Sequence, residues 1–434
     1  VTSATSSDPP RPRSTRAARE LIAAAIVLAV GMGFGRFAYT GVYPLMVRDG
    51  IFTLTTGSWA ASANYAGYLL GAISIARVGP AQATGLCRMA LAGTALGLLA
   101  MALPAGPAVL IGVRLATGAF SAIALVGVST WLFQVLDHPD GAPKMFAGVG
   151  IGIVVSAELI ALGNLAGWHS RTMWLALAAA TGVLTAMAWR RVGRKTPIAR
   201  ATSTASGHAI DGARSAGHAS AADPHSVPDN KLATEGGRRS TTPANHSHPS
   251  PPIDAWPLLI VYALAGFGYI VTATYLPLFI QHALGDIDPI HVWAVFGVWA
   301  APSCLLWHAI HRRLGTRFAL GVNLGLQLAG VLLPALSHTP AAFLGSAILV
   351  GGTFVGTVTI AMSAARLAAH QVRFNIVAAM VIGYGIGQIL GPLVSDVMHA
   401  QFGGFDAPLW AAGLVLAVAV GGCVYRSPAS VRAA

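Results

Sequence analysis

The chain alternates long apolar stretches with short polar interruptions, and the apolar stretches keep to one length. Twelve of them, each about 20 residues or more and so able to cross a bilayer as a helix, run over 21–46, 57–76, 84–103, 108–136, 145–166, 171–189, 256–282, 291–311, 317–337, 341–365, 374–398 and 407–425. None shows the apolar–polar alternation of a barrel strand. In lipid every backbone group has to be satisfied within a helix or a closed barrel, so the pattern predicts an all-α membrane protein with 12 transmembrane helices. Between the sixth and seventh stretches the pattern stops. Residues 195–253 are rich in Ser, Thr, Ala, Gly, Pro and His, with too little apolar surface to offset the entropy of ordering. The expected organisation is a tail over 1–20, a helical bundle over 21–190, a disordered linker over 191–255, a second bundle over 256–425 and a tail over 426–434.

Composition supports the membrane reading, since 55% of residues are apolar and 10% charged, against roughly 25% charged in a soluble domain. Cys87, Cys304 and Cys423 stand alone, which excludes a disulfide scaffold and a CxxC metal motif. A formal charge of +12 would suit a nucleic-acid partner, but its placement argues otherwise. Of 27 Lys and Arg, 23 flank the span ends that share a side with both termini, and only Arg48 and Arg171 fall in the opposite loops. The positive-inside rule then puts both termini and the linker in the cytoplasm, and no nucleic acid is expected. The apolar stretch after Arg11, Arg13, Arg16 and Arg19 is too long for a cleavable signal and lacks a small-residue cleavage site, so the first span is expected to stay. The five linker histidines, His246 and His248 among them, read as low complexity, so no metal or cofactor is expected. Trp168, Trp174, Trp256 and Trp410, near span ends, read as interfacial anchors.

The two bundles repeat one another. Gly33-Phe34-Gly35-Arg36 with Pro44-Leu45 matches Gly266-Phe267-Gly268-Tyr269 with Pro277-Leu278 at an offset of 233. Trp59-Ala60 matches Trp293-Ala294 and Gly118-Ala119-Phe120 matches Gly352-Thr353-Phe354, both at 234, and Gly148 to Gly152 matches Gly383 to Gly387 at 235. Six spans return the chain to its starting side, so the copies enter the membrane in parallel. Two pseudo-symmetric six-helix bundles related by an axis along the membrane normal are the major facilitator fold.

At these residues a family resemblance becomes specific. Gly33 to Thr40 with Pro44-Leu45-Met46, which includes Tyr39, resembles the first helix of the YbfB/YjiJ branch of the major facilitator superfamily. Asn64 to Gly71 is similar to its second helix, Gly266 to Tyr269 with Thr274 and Leu276-Pro277 to its seventh, Gly352-Thr353-Phe354 to its tenth, and Gly387 to Pro392 to its eleventh. The resemblance implies a monomeric secondary transporter of a bacterial inner membrane that moves a small solute, with protons and the lipid bilayer as expected partners. Arg114 to Gly118 resembles a fourth-helix RxxxG pattern linked to proton coupling, whereas the loop from Ala72 to Pro80 has Ala76 where the usual gating pattern has Asp. No HExxH, Ser-centred elbow, Walker loop or catalytic acid pair occurs, so an enzyme is not expected. A non-transporting sensor on the same fold is the alternative.

A charge at the bilayer midplane costs at least about 2.5 kcal/mol and persists where function or pairing compensates. Arg36, Arg114 and Glu158 lie about equally deep, at roughly 20–22 Å from the inner face by helical rise. If they share a cavity, Glu158 would neutralise one arginine and leave the other for an anionic substrate, or would exchange protons. The alternative is structural: Arg36 braces the break made by its glycines and Pro44, and Glu158 satisfies an arginine. Asn64 and Tyr68 are spaced i, i+4, as are Tyr384 and Gln388, so each pair shares a helix face. Each pair forms either a cavity wall or an interhelical hydrogen-bond contact. The expected substrate or coupling residues are therefore Arg36, Arg114, Glu158, Tyr39, Asn64, Tyr68, Tyr269, Thr353, Tyr384 and Gln388. The Gly-x-Gly-x-Gly runs, with no strand before them, read as close helix packing.

Overall fold

The structure, a computed structural model, describes residues 13–138, 141–192, 253–280 and 288–424. Apart from its two ends, the linker expected over 191–255 lies outside the described residues, as does the tail over 426–434. Among the described residues the long helices are α1 Ala17–Arg48, α2 Leu54–Ser74, α3 Ala83–Ala100, α4 Pro107–Val135, α5 Ala142–Leu165, α6 Ser170–Trp189, α7 Ala255–Phe279, α8 Ile290–Leu314, α9 Thr316–Leu336, α10 Pro340–Ala368, α11 Ile376–Phe402 and α12 Asp406–Val424. They follow the twelve apolar stretches closely. Helical geometry already begins at Arg13, so residues 13–20 extend the helix where a tail was expected.

Eleven of these helices are long and apolar enough to cross a membrane. The exception is α2, which has 21 residues but carries Ser58, Ser62, Asn64 and Tyr65, all buried. Its polar side chains face protein, where partners can satisfy them. The helix starts with a capping box, Thr53 Oγ1 accepting from Thr56 N at 3.1 Å and Thr56 Oγ1 from Thr53 N at 2.8 Å, so two donors at the helix entrance are satisfied reciprocally.

Helices α1–α6 and α7–α12 form two six-helix bundles whose matching glycines make matching contacts. A Cβ on Gly152 of α5 would lie 2.7 Å from Ala29 O of α1, and one on Gly387 of α11 would lie 2.5 Å from Ala263 O of α7. Backbone therefore meets backbone at the same helix pair of each bundle, the close approach that small residues permit. Between the bundles α5 lies on α8, where a Cβ on Gly150 would be 2.5 Å from Gly297 O.

Side-chain hydrogen bonds between the bundles gather at the end that carries the α1–α2 and α7–α8 connections. Thr40 Oγ1 donates to Ala273 O at 2.7 Å and Ser62 Oγ to Ile389 O at 2.9 Å. The Tyr275 hydroxyl lies 2.7 Å from Ser58 Oγ, to which it donates, and 3.0 Å from Pro392 O in its own bundle. Asn164 Nδ2 donates to Asp288 Oδ2 at 2.6 Å. A cavity of about 420 Å³, lined in part by Leu45, Arg48, Asn164, Pro277 and Asp288, lies at the same end.

One tryptophan departs from expectation. Trp256 and Trp410 are exposed, but Trp174 is fully buried and packs in the first bundle's core instead of anchoring at an interface.

Candidate functional site

Residues Ala29–Phe37 of α1 wind as a π-helix, with all but Met32 buried. Three glycines allow neighbours to press close: a Cβ on Gly33 would be 2.6 Å from Gly152 C and one on Gly35 would be 2.8 Å from Thr94 Cγ2. Where a ladder changes from i+5 to i+4 spacing it passes over a carbonyl, and such π turns recur at functional sites. Here Arg114 of α4 supplies donors, Nη1 to Gly35 O at 3.0 Å and Nη2 to Arg36 O at 3.3 Å, while its guanidinium lies 4.2 Å from the Tyr39 ring centroid. The bracing expected of Arg36 is thus performed by Arg114.

Arg36 projects from the π turn into a cage of aromatic rings. Its guanidinium carbon is 4.6 Å from the Tyr68 ring centroid, 4.8 Å from Tyr65 and 5.5 Å from Phe37. The residue is 3% exposed, and its Nε and Nη2 have no hydrogen-bond partner. From the second bundle Tyr262, Tyr269 and Tyr384 come within electrostatic reach of the same charge. Tyr269 is the repeat equivalent of Arg36.

Behind Arg36 the rings form a ladder. Tyr384 stacks on Tyr262 at 4.4 Å and on Tyr269 at 5.8 Å, Tyr269 stacks on Phe354 at 5.5 Å, and Phe354 meets Phe37 edge-on at 5.7 Å. Gln388 Nε2 donates to the Tyr269 hydroxyl, and its Oε1 has no partner. Tyr269, Tyr384 and Gln388 thus come together, and Tyr68 lies against Arg36.

Four expected residues have partners of other kinds. Glu158 does not neutralise an arginine: its half-exposed side chain meets His291 Nδ1 of α8 at 3.2 Å. Equal depth on a helix leaves the facing direction open, and α5 turns this position towards the other bundle. Asn64 donates to Arg114 O at 2.9 Å and Thr117 Oγ1 at 3.2 Å, so it ties α2 to α4 and does not share the Tyr68 wall. The Tyr39 hydroxyl donates to Gly57 O at 2.8 Å. Thr353 Oγ1 donates within its own helix, to Leu349 O at 2.6 Å, which leaves its methyl group for contacts.

Sequence reasoning passed over Tyr65, Tyr262, Tyr275, Phe354 and His291 as site residues. The seven-residue spacing of Tyr262 and Tyr269 puts both on one face of α7 and was a usable signal. Tyr65 also spans the bundles, its hydroxyl 3.1 Å from Thr274 Oγ1; nothing along α2 alone marks that contact.

Among solved structures, the chain is similar to the crystal structure of a mutant of the nucleoside transporter NupG, with a TM-score of 0.61 and 13% identity, covering 93% of this chain and 99% of that one. At that identity the likeness concerns the fold alone. No curated protein sequence matches the chain. The family described as "Uncharacterised MFS-type transporter YbfB" matches residues 28–221 and 230–423, nearly the whole chain. With eleven helices among the described residues long and apolar enough to cross a membrane, the chain is a multi-pass membrane protein that belongs to this family of MFS-type transporters.

Proposed function

We propose that the protein is a secondary active transporter that carries a small solute across a bacterial inner membrane by alternating access, as a monomer with both termini in the cytoplasm and with proton movement as the driving reaction. The observation that carries this reading is the distribution of polar contacts between the bundles. Hydrogen bonds close one end, and the unpaired donors of Arg36 lie beyond them among tyrosines of both bundles. Breaking the bonds at that end while forming others opposite would expose the Arg36 site to each side in turn. Thr40, Ser62 and Tyr275 act as the closing contacts. Arg114 and Tyr39 hold α1 in place, Asn64 ties α2 to α4, and Tyr68, Tyr269, Tyr384 and Gln388 form the walls.

Proton coupling falls to Glu158 and His291. Their pair joins α5 of one bundle to α8 of the other, so a change at this contact would act on both bundles. Proteoliposomes challenged with a metabolite panel on a solid-supported membrane, with and without an uncoupler, test the proposal. A panel member should evoke current that the uncoupler collapses, and Glu158→Gln should lose the proton-dependent part at equal inserted protein. Binding without flux would favour a sensor, and an unchanged pH dependence in Glu158→Gln would remove the pair from coupling.

A further inference from the structure

Among the described residues, Arg36 and Arg114 are buried cations, and no Asp or Glu is buried with them. A buried charge without an opposite partner is costly, and the two guanidiniums also repel one another. Their donors are committed differently. Arg114 donates from both terminal nitrogens to the Gly35 and Arg36 carbonyls, with only its Nε unpartnered, so backbone already holds its guanidinium. Arg36 has Nε and Nη2 unpartnered together. In a guanidinium these N–H groups point the same way along one edge, the fork that accepts two oxygens of a carboxylate. Tyrosine faces at 4.6 and 4.8 Å hold the plane of this cation, which offsets part of its desolvation without using an N–H.

We propose that the Arg36 fork is a receptor for a carboxylate, and that the transported solute is a singly charged carboxylic acid anion with an apolar or aromatic body. The inference deepens the transport reading and rests on its placing the solute beside Arg36. One free fork matches one planar anion. A phosphate dianion, with two charges and further acceptor oxygens, would need more donors than one fork supplies. The rings of Phe37, Phe354, Tyr269 and Tyr384 make the surroundings of the fork aromatic and suit an apolar or aromatic body, and Gln388 Oε1 is an unpartnered acceptor among them.

The test uses the purified full chain and matched acid–amide pairs: acetate with acetamide, benzoate with benzamide, phenylacetate with phenylacetamide and indole-acetate with its amide. Sodium chloride and inorganic phosphate are added as separate arms. At least one carboxylate should raise the apparent melting temperature while its amide does not, because a ligand that prefers the folded state stabilises it. In Arg36→Lys, which keeps the charge but loses the planar fork, the same carboxylate should bind at least about tenfold more weakly. Arg36→Gln serves as a second variant that removes charge and fork together and should lose the response, and a melting curve of each variant without ligand shows that it is folded. The proposal is overturned if no carboxylate in the panel responds, if an amide or phosphate responds equally, or if the carboxylate response survives unchanged in Arg36→Lys. Uptake of the responding carboxylate into proteoliposomes is measured separately: binding without uptake would refute transport and leave the receptor standing, whereas uptake indifferent to Arg36 would refute the receptor alone.

Discussion

Arg36 and Arg114 belong to neighbouring helices, yet one holds backbone and the other offers its donors. The contrast separates their variants. Arg114→Gln should lower the stability of the folded protein by about 2 kcal/mol, the scale of charge-assisted hydrogen bonds lost from buried carbonyls, and a fluorescence melting curve in detergent would show it. An unchanged melting curve would mean that the π turn holds without this brace. That both arginines mattered was legible because a charge stands out within an apolar span. Which would brace and which would stay open was not, since the carbonyls that Arg114 reaches are backbone atoms of another helix. Glu158 fails for a related reason: spacing along α5 fixes its depth, whereas its meeting with His291 depends on how α5 and α8 are turned against each other.

At the scale of the helix, boundaries were the best-read feature, because a span's length is imposed by the bilayer. The π stretch of α1 escaped, as its glycines say that neighbours come close without saying that the ladder widens. The connection between α1 and α2 supplies a cap of a different kind. Asp49 Oδ2 accepts from Ser170 N, the first residue of α6, at 2.6 Å, and Asp49 Oδ1 pairs with Arg48 Nε at 3.1 Å. Burial alone would raise the Asp49 carboxyl, but the Ser170 and Arg48 hydrogen bonds outweigh it and hold the group below its ordinary value. A depressed folded value means that this contribution is present above the ordinary carboxylate range and is lost as the pH falls through the folded value. Acidification below about pH 4 should therefore release amide-exchange protection at the start of α6, and Asp49→Asn should show low protection there already at neutral pH. Equal protection in both proteins at neutral pH would show that the carboxylate does not hold this helix end.

For the whole molecule, the parallel repeat announced two bundles, and collinear matches such as Gly150 with Gly385 told which helices correspond. How the bundles touch was not legible, because hydroxyls such as those of Thr40, Ser62 and Tyr275 are common in apolar helices and do not declare a partner. Their contacts make the closed end testable. Tyr275→Phe removes the donor to Ser58 Oγ and Pro392 O while keeping the ring. Leu45→Cys in the wall of the nearby cavity should then react faster with a maleimide than it does beside Tyr275, and an unaltered rate would show that this hydroxyl does not keep the end shut.

The acceptors opposite Thr40 and Ser62 are main-chain oxygens, those of Ala273 and Ile389. A carbonyl is present whatever side chain its residue carries, so inheritance has to guard only one partner of each contact. Natural variants should keep a hydroxyl at positions 40 and 62 while drifting in side-chain identity at 273 and 389 within the limits of size. At these two contacts the first bundle is then the more constrained partner, and the second is freer to diverge in step with whatever solute it meets.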